Sequence, residues 1–233
     1  MSGPLTAATL THWQLDALPF ARQDLLGYAA VGSHARALRR LWQWLRTPSP
    51  PVVAVVGLRG VGKTFTAELV AHQIREAGAS VRWIRGGCLP ERDGRRWLVW
   101  DAATVPDLQR SLARCVQGPL LVTLAGAELE AFERAFQRFG VEVVALQPWS
   151  DQEVAEALVT LWHRVSSRAL PFTPRSLHRL AMLTGGVPRR VTRVVHDALM
   201  LAALRRADRV GEDDVTRAWS EHAFWPLRAA HAA

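Results

Sequence analysis

The chain has 233 residues, 49% of them apolar, with 29 Lys and Arg against 21 Asp and Glu for a formal net charge of +8. That suffices for one α/β core with a small helical addition, and no run approaches the roughly 18 to 20 apolar residues of a membrane span. Cys88 and Cys115 stand alone without metal-ligand spacing, and no basic start followed by an apolar segment opens the chain, so a cytoplasmic protein without a secretory leader is expected.

In chain order, apolar residues at Ala37, Leu38, Leu41, Trp42 and Leu45 predict a helix over 33–45, closed by the proline run 48–51. Val52 to Val56 form a continuous apolar stretch, as in a strand covered on both faces. Next comes Gly57-Leu58-Arg59-Gly60-Val61-Gly62-Lys63-Thr64, a GxxxxGKT loop containing the only lysine among the 29 basic residues. After it, Phe65, Leu69, Val70 and Ile74 recur at helical spacing until Gly78. Strand, glycine loop and helix thus follow in the order of a nucleoside-triphosphate site. In such a loop successive N–H groups curl around phosphate oxygens, a lysine neutralises the terminal phosphates, and a threonine hydroxyl ligates Mg²⁺. The segment from Gly57 to Phe65, with Arg59 and Val61, is therefore the expected nucleotide-contacting stretch.

Further strands are expected at 81–84, 97–101, 120–124 and 141–146, with helices over 106–116 and 128–139 between them. Alternating strands and helices predict a three-layer parallel sheet. Asp101 ends an apolar strand, where a carboxylate can hold Mg²⁺ through water; the same residue also suits a helix N-cap. An alternative register makes Leu120 to Ala125 the carboxylate strand, with Leu124 in the aspartate's place. Beyond Pro148 the pattern becomes helical. Ser150 with Glu153 forms a capping box, Thr173-Pro174 and Pro188 start two more helices, and Asp213 a fourth. The expected division is residues 1–147 for the core and 148–233 for a helical lid.

Several stretches resemble the AAA+ ATPases of the ExeA and TniB type, related to the origin-recognition ATPases. They are Asp16-Ala17-Leu18-Pro19-Phe20, the helix that follows, the GxxxxGKT loop, Phe172-Thr173-Pro174, and Thr184-Gly185-Gly186-Val187-Pro188-Arg189-Arg190-Val191. The resemblance implies ATP and Mg²⁺ as ligands and a P-loop fold with a helical lid. Its implied roles are Phe20 on the base, Thr123 at the sensor-1 position, Arg189 as the sensor-2 arginine, and Arg138 as an arginine finger acting on a neighbouring subunit. The catalytic set is then Lys63, Asp101, Thr123, Arg138 and Arg189, and the metal set Thr64 and Asp101. Two departures stand out. Ala102 and Ala103 follow Asp101 where the family carries a water-activating glutamate, with Glu128 or Glu130 as candidate substitutes, and the segment 84–97 is shorter than the family's insertion.

The resemblance implies a nucleotide-dependent switch that assembles with itself or with an AAA+ partner, in DNA transposition or in secretion. The net positive charge, with clusters at Arg92, Arg95, Arg96 and at Arg189, Arg190, Arg193, favours DNA, although arginine is spread along the chain. A second reading is an ATP-stabilised module that has lost turnover; a small-molecule kinase is a third, disfavoured by the lid signature. Among ten tryptophans, Trp83 beside Arg82 and Arg85 is the candidate for base stacking.

Overall fold

The computed structural model describes residues 4–17, 30–49, 51–85, 97–101, 119–136 and 140–223. The expected helix over 106–116 and the Arg92, Arg95, Arg96 cluster lie outside them. Packing divides the chain into two compact units, Gly32–Gln147 and a second comprising Met1–Val31 with Pro148–Ala233. The sequence division had placed residues 1–147 in the core, whereas packing groups the described residues before Gly32 with the helical unit.

In the α/β unit five strands, β1 (Val52–Gly57), β2 (Val81–Arg85), β3 (Trp97–Asp101), β4 (Leu120–Ala125) and β5 (Val141–Ala145), form one parallel sheet in the order β2-β3-β4-β1-β5. Successive side chains of a strand point to opposite faces, and here the two sets bury separately. Val53, Val55, Val99, Leu121 and Val144 pack with Leu41 and Trp44 of one helix (Gly32–Arg46) and Val70 and Ile74 of another (Lys63–Glu76). Val52, Ala54, Val56, Leu98, Trp100, Leu120, Val122 and Leu124 pack on the other face with Phe132 of the helix Leu129–Phe136. Burial on both faces is why β1 and β4 read as unbroken apolar runs. Trp83 lies half-buried on the first face rather than presented as a stacking platform.

In the helical unit, α1 (Pro4–Trp13), α5 (Asp151–Trp162), α6 (Pro174–Thr184), α7 (Pro188–Leu204) and α8 (Glu212–Ala223) surround one apolar core, with α2, α3 and α4 being the three helices of the α/β unit named above in order. The helix starts obey their local chemistry. Ser150 Oγ accepts from the Glu153 amide at 3.3 Å while Glu153 Oε2 accepts from the Ser150 amide at 2.8 Å, completing the capping box. Thr173 Oγ1 accepts from the Ser176 amide at 3.1 Å ahead of Pro174. Between α6 and α7 the chain bends at Gly185 and Gly186, with φ of 59° and 64°. A Cβ on Gly186 would overlap the Trp149 carbonyl oxygen, and the Trp149 amide donates to the Gly186 carbonyl at 2.9 Å. Only glycine meets both demands.

Helix α1 was not expected. Its sequence carries no one-sided apolar stripe, and it is tied down from far along the chain: Trp13 Nε1 donates to the Leu199 carbonyl at 3.0 Å and His12 Nε2 to that of Ala207 at 2.9 Å. No described helix is long and apolar enough to cross a membrane.

Candidate functional site

Strand β1 ends at the C-terminal edge of the sheet, and residues 58–62 return the chain into α3. Gly57 must be glycine, because a Cβ there would sit 2.5 Å from the Leu146 carbonyl oxygen. Gly62 holds the N-cap position of α3 at φ 106°, and no side chain caps this helix start. The orphan N–H groups of a first helical turn, with their partial positive charge, are left facing the loop, as suits an anion.

Lys63 opens that helix. Its Nζ donates to the carbonyls of Gly57 and Leu58 at 2.9 and 3.0 Å, folding the side chain over its own loop. Partial burial lowers the ammonium's pKa, and the charges of Asp101 and Glu128 act in the opposite direction. A cation half-stripped of water and held on neutral carbonyls gains from exchanging them for phosphate oxygens.

The carboxylate comes from the neighbouring strands. Parallel pairing sets Trp100 against Val122, bringing Asp101 and Thr123 level at the ends of β3 and β4. Thr123 Oγ1 donates to Asp101 Oδ1 at 2.7 Å, and Thr64 Oγ1 donates to the same oxygen at 2.9 Å. Asp101 is only 6% exposed, and among the described residues Oδ2 has no hydrogen-bond partner. The alternative register supplies no carboxylate, since Leu124 is fully buried in the apolar face with Phe132.

A hydroxyl and a carboxylate are hard oxygen donors of the kind Mg²⁺ takes, usually with substrate phosphates completing the shell. No group of three His, Cys, Asp or Glu among the described residues is placed to hold a metal without such help. When bound, the cation would neutralise charge on the phosphates; Thr64 and Asp101 are the residues positioned to hold it. What the chain itself could supply is binding and orientation: Lys63 for charge, the glycine turn for close backbone approach, and Thr123 to fix the Asp101 carboxylate.

Lys63, Thr64, Asp101 and Thr123 are therefore brought together. Arg59 is exposed on the loop and Val61 fully buried beneath it; Phe65 continues the first turn of α3. Arg189 belongs to the helical unit, exposed with Arg190 and Arg193 at the start of α7. Phe20, Arg138 and Ala102 lie outside the described residues.

One participant escaped sequence reasoning. His34, in the first turn of α2, is wholly buried and its Nε2 donates to the Val61 carbonyl at 2.7 Å, bracing the phosphate loop from behind. Beside it Ser33 Oγ accepts from the Gln147 amide at 3.3 Å. A lone histidine after Gly32-Ser33 carries no local signal of such a role; the partner is 27 residues away.

The family model of the AAA ATPase domain matches residues 32–210. Comparison with curated protein sequences gives no match. Among solved structures the fold is similar to the Aeropyrum pernix ORC1 protein in complex with DNA, with a TM-score of 0.64 and 18% identity over 87% of this chain and 68% of that one. It is also similar to the Aeropyrum pernix ORC2 protein in its ADPNP-ADP complexes, with a TM-score of 0.60 and 15% identity over 88% and 71%. The Thermotoga maritima RuvB Holliday junction branch migration motor gives a TM-score of 0.57 and 16% identity over 80% and 68%. With the glycine loop, the buried carboxylate and the strand order on the page, the match over 32–210 has a plain meaning: this chain belongs to the AAA ATPase domain family.

Proposed function

We propose that the protein is an ATP-dependent switch of the ExeA and TniB type, in which nucleotide held with Mg²⁺ by Lys63, Thr64 and Asp101 controls assembly with further copies or with an AAA+ partner, and that this assembly acts on DNA. The observation that carries the reading is the pair of hydroxyls, Thr64 and Thr123, converging on one buried Asp101 oxygen beside Lys63. An aspartate serving only as a helix cap would be satisfied by nearby backbone amides. The DNA arm rests on the net charge of +8 and on fold likeness to an ORC1 protein solved with DNA. In the same reading Arg189 answers to the γ-phosphate, Arg138 reaches a neighbouring subunit's nucleotide and Phe20 contacts the base. Ala102 favours a second reading, an ATP-stabilised module without turnover.

The test is a paired titration of ATP binding and phosphate release with and without duplex DNA, against Lys63→Ala. Mg²⁺-dependent binding lost in the variant, with release stimulated by DNA, is the expected result. Binding with no release in either condition would select the second reading, and no binding at all would overturn both.

A further inference from the structure

The alanines after Asp101 remove the usual water-activating carboxylate, and the described structure shows where another stands. Strand β4 runs between β3 and β1, so its C-terminal end abuts both the Asp101 strand and the strand that feeds the phosphate loop. Ala125, its last residue, pairs with Gly57. The chain then makes a single 3₁₀ turn, Gly126–Glu128, before α4 begins. That turn delivers Glu128 to the sheet edge that carries Lys63 and Asp101. At the start of this turn Gly126 is exposed, and a Cβ there would meet nothing within 4 Å.

Among the described residues, three nearby carboxylates have partners of their own. Asp101 accepts two hydroxyls on one oxygen. Glu130, one of the two candidates the sequence left open, is 86% exposed and pairs with Arg134 at 3.7 Å on the outside of α4. Glu68 pairs with Arg85 at 3.9 Å. Glu128 is half-buried and, among the described residues, makes no hydrogen bond or ion pair. Its charge is nonetheless close enough to act on the Lys63 ammonium.

We propose that Glu128 is the general base for ATP hydrolysis, a carboxylate moved from the end of β3 to the turn after β4. The inference rests on the reading of the phosphate loop as an ATP site. In the step assigned to it, Glu128 accepts a proton from water as the water oxygen bonds to the γ-phosphorus. The bond from that phosphorus to the β–γ bridging oxygen breaks, its electron pair leaving with ADP, and the proton passes on to the phosphate product or to solvent.

The experiment compares wild type, Glu128→Gln, Glu128→Asp, Glu130→Gln and Lys63→Ala, with ATP affinity, phosphate release and the identity of bound nucleotide after acid quench read separately. Glu128→Gln is expected to keep wild-type ATP affinity, lose about 10²- to 10⁴-fold in release rate, and retain intact ATP where wild type holds ADP. Glu128→Asp should fall between them and Glu130→Gln should match wild type. Release by Glu128→Gln at the wild-type rate would overturn the proposal, as would a wild type that binds ATP and releases no phosphate with or without duplex DNA. Failure of wild type to bind ATP, or unchanged binding in Lys63→Ala, would instead overturn the underlying site.

Discussion

The two units satisfy their buried polar groups in opposite ways. In the helical unit Ser176 donates to a carbonyl 3 residues back, Thr184 to one 4 residues back, and Asp214 is clasped by Arg205, 9 residues away, at 2.6 and 2.7 Å. In the α/β unit the corresponding bonds span 22 residues from Thr123 to Asp101, 27 from His34 to Val61, 37 from Thr64 to Asp101 and 114 from Gln147 to Ser33. Buried polar groups left unpaired cost about 1–3 kcal/mol each, and most are paired, the indole N–H groups of Trp83 and Trp100 in the α/β unit being exceptions among the described residues. The helical unit pairs them largely over short stretches of chain, apart from the tethers of Trp13 and His12 to Leu199 and Ala207. The α/β unit does so only once the strands are in register, which gathers charge and hydroxyls at one sheet edge and makes that edge a site.

Variants in the two units should therefore fail differently. The largest effect is expected at Lys63→Ala, which removes a charged donor worth about 1.5–3 kcal/mol per hydrogen bond. ATP affinity should fall by about 100-fold or more, read by nucleotide titration, with little change in unfolding midpoint. Gly186→Ala is next. The overlap with the Trp149 carbonyl and the left-handed backbone together predict a loss of about 3 kcal/mol in denaturant unfolding. Gly185→Ala, left-handed but with nothing within 4 Å of a Cβ, should lose only about 1–2 kcal/mol. Equal losses would show that the contact with Trp149 is not what demands glycine.

His34→Leu probes the long-range network. Leaving the buried Val61 carbonyl unpaired should cost about 1–3 kcal/mol and also weaken ATP binding, since that carbonyl belongs to the phosphate loop. His34→Gln, whose amide can still donate at similar reach, should recover part of both; a stability loss with unchanged ATP affinity would make His34 a fold residue only. The smallest effect belongs to a local bond: Ser150→Ala should cost about 1 kcal/mol by the unfolding midpoint and leave ATP affinity untouched.

The same contrast explains which features were legible. The Ser150–Glu153 box, the Thr173-Pro174 start and the Pro188 start were read correctly because their partners sit within one turn of the chain. The phosphate loop was legible because its glycines, lysine and threonine are contiguous. The parallel sheet was legible from apolar runs such as Val52 to Val56, which two buried faces require. Helix α1 was missed because what holds it, the bonds from Trp13 and His12 to Leu199 and Ala207, lies at the far end of the chain.

By itself, then, the sequence determined the strand–loop–helix that receives phosphate, the alternation that makes a parallel sheet, and the capped helices that follow Pro148, since each depends on interactions between close neighbours in the chain. Tertiary structure alone decided which hydroxyls share the Asp101 oxygen and that His34 braces the loop. Those choices are made by strand order and register, which bring together residues that no local pattern relates.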